Sequence, residues 1–210
     1  MKVILINGSP HAEGCTYTAL KEVATVLNKE GVETEIFQVG KKPIIGCTAC
    51  LKCTDLGRCV FDDRVNEFIK IAGKYDGYIF GTPVHYAAAG GAITSFMDRV
   101  FYAISKSKKD YFYLKPAAAV ISARRAGTTA TFDQMNKYFT ISQMPVISSR
   151  YWNMVHGNNP DEVRQDLEGL QTMRILGRNM AFFLRCKEAG LAAGVNFPEK
   201  EETTTTNFIR

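Results

Sequence analysis

Short apolar, β-branched segments alternate with amphipathic helical segments along most of this 210-residue chain. The strand segments are KVILIN, VETEIFQV, DGYIFGTP, PAAAVIS and MPVISS. After the first of them, Leu20, Val23, Ala24 and Leu27 have the spacing of one helix face, which Gly31 ends. Strands that alternate with helices form a parallel sheet with helices on both faces. The pattern predicts an α/β fold, a doubly wound sheet of five parallel strands.

Capping residues and loss of periodicity predict where the later elements begin and end. Asp62 and Asp63 can cap a helix, and Asn159 with Pro160 can open a long last helix. The residues after Gly194 follow neither the helix nor the strand period. We therefore expect one domain over residues 1–194 and an extended C-terminal tail over residues 195–210.

Composition excludes several function classes. Hydrophobic residues make up 46% of the chain, enough for one sizeable core. No apolar run reaches the roughly 18 residues of a membrane span, so we expect no membrane insertion. The net charge of +5 is spread along the chain without a basic stripe, so we expect no nucleic-acid partner. The first residues, MKVILINGSP, do not resemble a secretory signal, which predicts a cytoplasmic protein.

The loop after the first strand is a candidate phosphate site. In a doubly wound sheet, ligands bind beyond the carboxyl ends of the strands at the switch point. The loop NGSPHAEGCTYT offers the hydroxyls of Ser9, Thr16 and Thr18 and the N–H groups of a helix N-terminus. It contains neither a dinucleotide fingerprint nor a Walker A motif. Neutral donors of this kind suit the monophosphate of FMN, although a turn without a ligand would also explain them.

Two further loops follow the third and fourth strands. In GTPVHYAAAGG, His85 and Tyr86 could seat a planar heterocycle, or could simply cover the end of the sheet. In SARRAGTT, Arg124 and Arg125 precede Gly127. An arginine there could stabilise a reduced flavin or meet a phosphate, or both could be solvated surface residues.

Four of the six cysteines fall within thirteen positions, as Cys47, Cys50, Cys53 and Cys59. In a reducing compartment, clustered cysteines are more often metal-binding or catalytic than disulfide-bonded. Their C-x2-C-x2-C-x5-C spacing in an irregular loop lets thiolates converge on one centre. Structural zinc usually uses two well-separated pairs, but zinc and unligated thiols both remain open. Of the other two, Cys15 is expected to be an inert packed thiol, and Cys186 a small core residue.

The segments NGSPHAEGCT, GTPVHY and ITSFMDR, with the cysteine loop between them, resemble the NADPH-dependent FMN reductase family of flavodoxin-like proteins. The resemblance implies strand order 2-1-3-4-5, bound FMN and oligomers, here a homodimer or homotetramer. It implies that Ser9, His11, Cys15 and Thr16 hold the phosphate and that Pro83, Val84, His85 and Tyr86 line the ring. The family often has Asn or Ser where this chain has Cys15, and Arg where it has His11. The full set of candidate cofactor-binding residues is Ser9, His11, Cys15, Thr16, Tyr17, Thr18, Thr82, Pro83, Val84, His85, Tyr86, Ala123, Arg124, Arg125 and Gly127.

The cysteine spacing is similar to the compact motif of the iron-sulfur flavoprotein branch, where such a motif holds a [4Fe-4S] cluster. The predicted function is thus an FMN oxidoreductase that uses NAD(P)H and passes electrons to a small-molecule or protein acceptor. We predict no side chain as a catalytic nucleophile. The alternatives are an electron-transfer or redox-sensing protein without its own turnover, and a zinc-braced binding module without flavin.

Overall fold

A computed structural model describes residues 1–208, and five parallel strands form its central sheet. These strands are β1 (Lys2–Asn7), β2 (Glu33–Gln38), β3 (Gly77–His85), β5 (Ala117–Ala123) and β6 (Met154–His156), and the two-residue β4 (Ala88–Ala89) pairs antiparallel with β3. Their order, β2-β1-β3-β5-β6, is the predicted 2-1-3-4-5 order of a flavodoxin-like sheet. The predicted fold class and strand order are therefore confirmed, with one short extra strand.

Helices cover both faces of this sheet. They are α1 (Cys15–Lys29), α2 (Cys53–Leu56), α3 (Arg64–Ala72), α4 (Gly91–Lys106), α5 (Thr128–Ile141), α6 (Pro160–Gln165) and α7 (Leu167–Ala192). Side chains alternate across a strand, so Val3 and Leu5 pack with α1 and α7, while Ile4 and Ile6 pack with α3, α4 and α5. This alternation divides the core into two clusters of buried residues, one on each face.

The predicted fifth strand is wrong in position. In the segment 144–149, only Val146 pairs with the sheet, through an isolated bridge to Ala117. The chain then leaves the sheet, because the Ser149 hydroxyl donates to the Tyr151 carbonyl oxygen at 2.7 Å and closes a turn. It returns at Asn153, whose carbonyl oxygen accepts from the Ile121 N–H at 2.9 Å, and β6 begins with the next residue.

The predicted long last helix is interrupted. Asn159 caps α6 as expected, but α6 ends at Gln165 and α7 begins at Leu167, with Asp166 as the cap between them. The Asp166 carboxylate accepts hydrogen bonds from the N–H groups of Gly169 and His156, which explains the break: one residue caps the new helix and ties it to β6. Asp63 caps α3 as predicted, by accepting from the Val65 N–H.

The segment after α7 contains no helix or strand in its described part, residues 195–208. Lys200 lies 2.7 Å from the Asp110 carboxylate and over the Tyr113 ring, so the tail touches the loop before β5. Among residues 1–208, no helix has both the length and the apolar character needed to cross a membrane.

Candidate functional site

The carboxyl ends of the central strands bring three predicted loops to one edge of the sheet. The last residue of β1, Asn7, lies beside Gln38 of β2 and Gly81 of β3. Further along β3, Pro83 lies beside Ser122 of β5. The loops that follow β1, β3 and β5 therefore border one region, as expected for the switch point of this fold.

Asn7 organises the first loop. Its side-chain N–H groups donate to the carbonyl oxygens of His11 and Ala12 at 3.3 Å and to Gln38 Oε1 at 2.6 Å. Its Oδ1 accepts from the Ser9 N–H at 3.1 Å, and the Ser9 hydroxyl oxygen accepts from the His11 N–H at 3.1 Å. Sequence reasoning missed Asn7, although a polar residue at the end of a buried strand was the available signal. The loop is preorganised by buried side-chain hydrogen bonds.

The N-terminus of α1 faces this loop with free backbone donors. Gly14 is the N-cap, and no side chain in the described part of the chain caps the helix. The hydroxyl of Thr16 is buried against Ser122 Oγ at 2.8 Å, and that of Thr18 donates to the Gly14 carbonyl oxygen. These two hydroxyls are already paired, so the backbone N–H groups of the first turn are the donors that remain for an anion. Tyr17 lies half-buried between them.

Cys15 begins α1 and also touches a fourth loop. Its thiol donates to the Gly157 carbonyl oxygen at 3.6 Å. Burial raises the pKa of the Cys15 thiol above its usual range, and the nearby Glu162 carboxylate adds to this, although the residue's own N–H opposes it. Cys15 is therefore protonated at neutral pH, which agrees with an inert packed thiol.

Two glycines allow the first loop to lie close against the sheet. A Cβ on Gly8 would lie 2.7 Å from Ile93 Cβ and 2.8 Å from the Gly81 carbonyl oxygen. A Cβ on Gly81 would lie 2.8 Å from Leu20 Cδ1 and 2.9 Å from Thr16 Cγ2. Real Cβ atoms do not approach other atoms this closely, so both positions exclude larger residues.

The second loop is a short hairpin that projects from the sheet edge. Tyr86 lies at its tip, fully exposed, with a left-handed backbone (φ 61°), and His85 beside it is also exposed. Thr82 is buried, and its hydroxyl oxygen accepts from the Gly90 N–H at 3.4 Å, across the base of the hairpin. Pro83 and Val84 lie half-buried between these residues. A bulky aromatic side chain is thus held out towards solvent on a strained backbone.

The third loop carries the two arginines. Arg124 and Arg125 are exposed, and neither forms an ion pair with any residue in the range 1–208. Ala123 before them is buried, and Gly127 after them is the left-handed N-cap of α5 (φ 91°). A Cβ on Gly127 would lie 2.9 Å from Val84, so the second and third loops are in direct contact. Both guanidinium groups are available to an anion at this edge.

The four clustered cysteines line one small cavity together with Arg99 and Tyr102. Cys53 is buried, Cys59 is half-buried, and Cys47 and Cys50 are exposed. Across residues 1–208, however, no three His, Cys, Asp or Glu side chains are gathered closely enough to form a metal site. The thiols therefore share one cavity, but they are not drawn together on a common point.

The four cysteines lie close enough together for the charges of three of them to shift the pKa of the fourth. Burial raises the pKa of Cys53, and the negative charges of Cys47, Cys50 and Cys59 raise it further. The pKa of Cys50 is lowered, chiefly by a hydrogen bond from the Lys52 N–H. A bound cation would reverse the upward shift at Cys53, because it favours the deprotonated form of the thiols that coordinate it.

The backbone beside Cys50 is strained on both sides. Ala49 (φ 52°) and Leu51 (φ 59°) both adopt the left-handed conformation. Such conformations cost on the order of 1–3 kcal/mol each and cluster at ligand clamps. The donor set, the shared cavity and this backbone fit a metal or cluster held by thiolates.

Arg99 of α4 is the principal residue of this region that sequence reasoning missed. Its Nε donates to Cys59 Sγ at 3.2 Å, and its terminal nitrogens donate to both Asp63 carboxylate oxygens, at 3.0 and 2.6 Å. Burial alone would lower the pKa of Arg99, but Asp63 and Cys59 raise it, so the group remains charged. The signal was a charge three residues after Phe96, on the apolar face of the helix.

Asn66 of α3 holds the last cysteine by its backbone. Asn66 Oδ1 accepts from the Cys59 N–H, and Asn66 Nδ2 donates to the carbonyl oxygens of Cys59 and Phe61, each at 2.9 Å. It is buried, and it was also missed from the sequence. Together, Asn66 and Arg99 fix the C-terminal end of the cysteine loop.

A larger cleft of about 920 Å³ lies away from these loops. It runs between the C-terminal end of α4, residues 108–114 and the tail. Since these segments lie at the amino end of β5, the cleft is at the opposite edge of the sheet from the three loops. Its size alone does not make it the functional site.

Comparisons with known proteins agree with this geometry. Residues 1–159 match the family described as NADPH-dependent FMN reductase. The chain is 32% identical over 190 residues to an iron-sulfur flavoprotein of Methanocaldococcus jannaschii. The aligned region covers 86% of this chain and 96% of that protein.

Two solved structures share the fold at low identity. RosB with the bound intermediate 8-demethyl-8-formylriboflavin-5'-phosphate has a TM-score of 0.68 and 13% identity, over 100% of this chain and 94% of that one. A flavodoxin from the domain Archaea has a TM-score of 0.59 and 13% identity, over 88% of this chain and 99% of that one. At this identity, the likeness concerns the fold alone.

Proposed function

Because this chain belongs to the NADPH-dependent FMN reductase family, we propose that it is an FMN-dependent oxidoreductase with a [4Fe-4S] cluster. Reducing equivalents would enter from NAD(P)H and leave, by way of the cluster, to a small-molecule or protein acceptor. The observation that carries the proposal is the pairing of two sites: an anion-binding edge formed by three loops, and four thiols around one cavity. Bound FMN would supply hydride acceptance and one-electron chemistry.

The first loop fits a phosphate monoester. Uncapped N–H groups at the N-terminus of α1 and the buried Ser9 provide donors without a lysine. His11 is exposed at the rim of the loop. The paired hydroxyls of Thr16 and Thr18 would shape the loop. The main-chain N–H of Thr16 would be the phosphate donor, because that of Thr18 already bonds to the Gly14 carbonyl oxygen at 3.0 Å. FMN is favoured over FAD because the loop has no pyrophosphate fingerprint.

The hairpin and the third loop would bind the planar ring. Tyr86 and His85 would cover one side of it, and burial of Tyr86 against a ligand would explain why its ring is exposed on a strained backbone. Arg124 or Arg125 would stabilise negative charge that develops on the ring when it is reduced. The protein would therefore orient the ring and set its field, without a nucleophile of its own.

The cysteine loop would hold the cluster through Cys47, Cys50, Cys53 and Cys59. Four thiolates in one short segment complete the ligand set of a [4Fe-4S] centre. Zinc would accept the same four ligands, and metal analysis separates the two. We also propose a homodimer or homotetramer, with the exposed hairpin as part of the contact between subunits.

A second candidate is an electron-transfer or redox-sensing protein without its own substrate turnover. The exposure of Cys47 and Cys50 favours it, because a centre at the surface can exchange single electrons with a partner protein. Addition of NAD(P)H separates the candidates: rapid loss of the flavin absorption bands supports the oxidoreductase, and no loss supports the electron carrier.

The deciding experiment is anaerobic purification followed by absorption spectroscopy and iron, zinc and flavin analysis. We expect FMN as the flavin released by heat, together with broad iron-sulfur absorbance. Cys53→Ser should lose most of the iron and keep its flavin. Cys186→Ser is the matched control, because Cys186 is exposed on α7 and not in the core as predicted. FAD alone, stoichiometric zinc, or equal iron in Cys53→Ser and the parent would contradict the corresponding part of the proposal.

A further inference from the structure

Arg99 is the one charged side chain that is fully buried among residues 1–208, with 1% of its surface exposed. An isolated buried charge is strongly unfavourable, so its position must be compensated by specific partners. The hydrogen bonds of the guanidinium all go to the segment 45–63, which contains the four cysteines. The residue therefore belongs to the cysteine loop rather than to the packing of α4 alone.

The contacts join both ends of that loop. Arg99 donates to the Ile45 carbonyl oxygen at 3.2 Å, before the first cysteine, and to the Phe61 carbonyl oxygen at 3.2 Å, after the last. Its Nε reaches Cys59 Sγ, and Asp63 accepts from its fork. A planar guanidinium can make these bonds at once, in directions that an ammonium group cannot match. Removing it would release both ends of the loop.

Resting on the proposed function, we propose that Arg99 is a positioning residue that closes the cysteine loop on α4 and raises the reduction potential of the cluster. A cluster held here would carry one more negative charge in its one-electron-reduced form. A positive charge and an N–H···S bond at Cys59 stabilise that form more than the oxidised one. Hydrogen bonds to the sulfurs and the local net charge are known determinants of such potentials.

Asp63 provides a second test, in which the reduction potential should change in the opposite direction. Its carboxylate pairs with Arg99 and offsets part of the positive charge beside Cys59. Asp63→Asn would remove that negative charge, leave the Arg99 bond to sulfur in place and still cap α3, because asparagine is a good N-cap. The potential should therefore rise in Asp63→Asn and fall in Arg99→Met. A purely structural role for the pair would disturb the site in one direction only.

The test is a potentiometric titration of the holoprotein. The electron paramagnetic resonance signal measures how much of the cluster is reduced at each potential. At a fixed potential, Arg99→Met should hold about tenfold less reduced relative to oxidised cluster, a shift of about 59 mV for a one-electron couple. Arg99→Lys, which keeps the charge and loses the fork, should recover part of that shift. Arg174→Met, on α7 and paired with Glu22, is the control and should match the parent. Parent-like potentials in both Arg99 variants, or a fall in Asp63→Asn, would overturn the inference.

Loss of the cluster by Arg99→Met would be measured separately. The variant Arg99→Met/Asp63→Asn removes the buried charge together with its half-buried partner and keeps a helix cap, so it should fold and should still have a lowered potential. In the iron-free proteins, hydrogen exchange over residues 45–63 should be faster in Arg99→Met than in Arg174→Met, and equal rates would refute the loop-closing role. If the parent itself lacks an iron-sulfur cluster, the cluster part of the proposed function is wrong. The proposed effect of Arg99 on the reduction potential is then wrong as well. An unchanged potential in a cluster-containing parent and its variants defeats this inference alone.

Discussion

Replacing Gly81 by alanine tests whether the close approach of α1 to the sheet positions the loop after β1, the proposed site of the FMN phosphate and hereafter the phosphate loop. The new methyl group would lie 2.8 Å from Leu20 Cδ1 and 2.9 Å from Thr16 Cγ2, both buried residues of α1. Either the helix must move away from β3, or the side chains must leave their rotamers. Because Thr16 lies in the first turn of α1, movement would also displace the N–H groups that face the loop.

The expected cost follows from two opposing effects. Overpacking of a filled core costs about 1–3 kcal/mol, and a glycine-to-alanine change returns about 0.4–1 kcal/mol through the unfolded chain. The net loss of about 0–2.6 kcal/mol should lower Tm by up to about 10 °C in a chain of this size. If one charge-assisted bond to the phosphate weakens, about 1.5 kcal/mol is lost, and the Kd for FMN should rise about tenfold.

Gly77→Ala is the matched control, on the same strand and equally buried. Its methyl group would meet Val3, Met180 and Pro116 at 3.3–3.5 Å, which small adjustments can accommodate. Differential scanning calorimetry of the flavin-free proteins and FMN titration by fluorescence quenching would measure both effects. A parent-like Tm and Kd in Gly81→Ala, or equal losses in both variants, would refute the argument that contact at Gly81 sets the position of α1.

Three further outcomes are expected. Arg124→Met or Arg125→Met should lower the two-electron midpoint potential of bound FMN by about 30–60 mV, the equivalent of about 1.5–3 kcal/mol; shifts under about 10 mV in both, as expected for the exposed Arg178→Met, would mean that neither guanidinium acts on the ring. Tyr86→Gly should relieve a left-handed backbone (φ 61°) and leave the Tm of the flavin-free protein unchanged or higher, yet weaken FMN binding; equal affinity would exclude ring contact. Tyr78→Phe should cost about 1–3 kcal/mol of unfolding free energy, because the hydroxyl shares its one proton between the carbonyl oxygens of Ala72 and Tyr111, at 2.6 and 2.9 Å. Burial raises the pKa of Tyr78, so the unfolded parent loses this proton first, and the parent's advantage should shrink above about pH 10; denaturant titrations at neutral and alkaline pH would show an unchanged advantage if the pKa is not raised.

The sheet was predictable because its strands are short, apolar and regularly separated. The fifth strand was misplaced for a local reason. Pro145 and Ile147 do bond to Ala117, so the segment has strand-like contacts. What ends them is a turn closed by Ser149, a side-chain contact that apolar periodicity does not report. The split at Asp166 has the same origin, since its carboxylate competes with the continuing helix.

The candidate site was predictable where topology alone decides it. Loops at the carboxyl ends of neighbouring parallel strands must meet, and they do. The residues that hold the loops were not predictable in this way. Arg99 bonds to partners 36 to 54 positions away, and Asn7 reaches Gln38, 31 positions away. Residues so far apart in sequence come together only in the folded sheet, so local sequence patterns do not predict these contacts.

Helix α4 touches both the loop after β1 and the cysteine loop: Ile93 lies against Gly8, and Arg99 binds Cys59. Six residues separate these contacts, a rise of about 9 Å along a rigid helix. The helix is thus a spacer of fixed length, and electron exchange between two centres depends steeply on their separation. Deleting one residue between the two contacts would turn Arg99 by about 100°, away from the cysteine loop, and leave the phosphate loop in place. A substitution on the exposed side of this segment would preserve both contacts, whereas a change in its length would separate them.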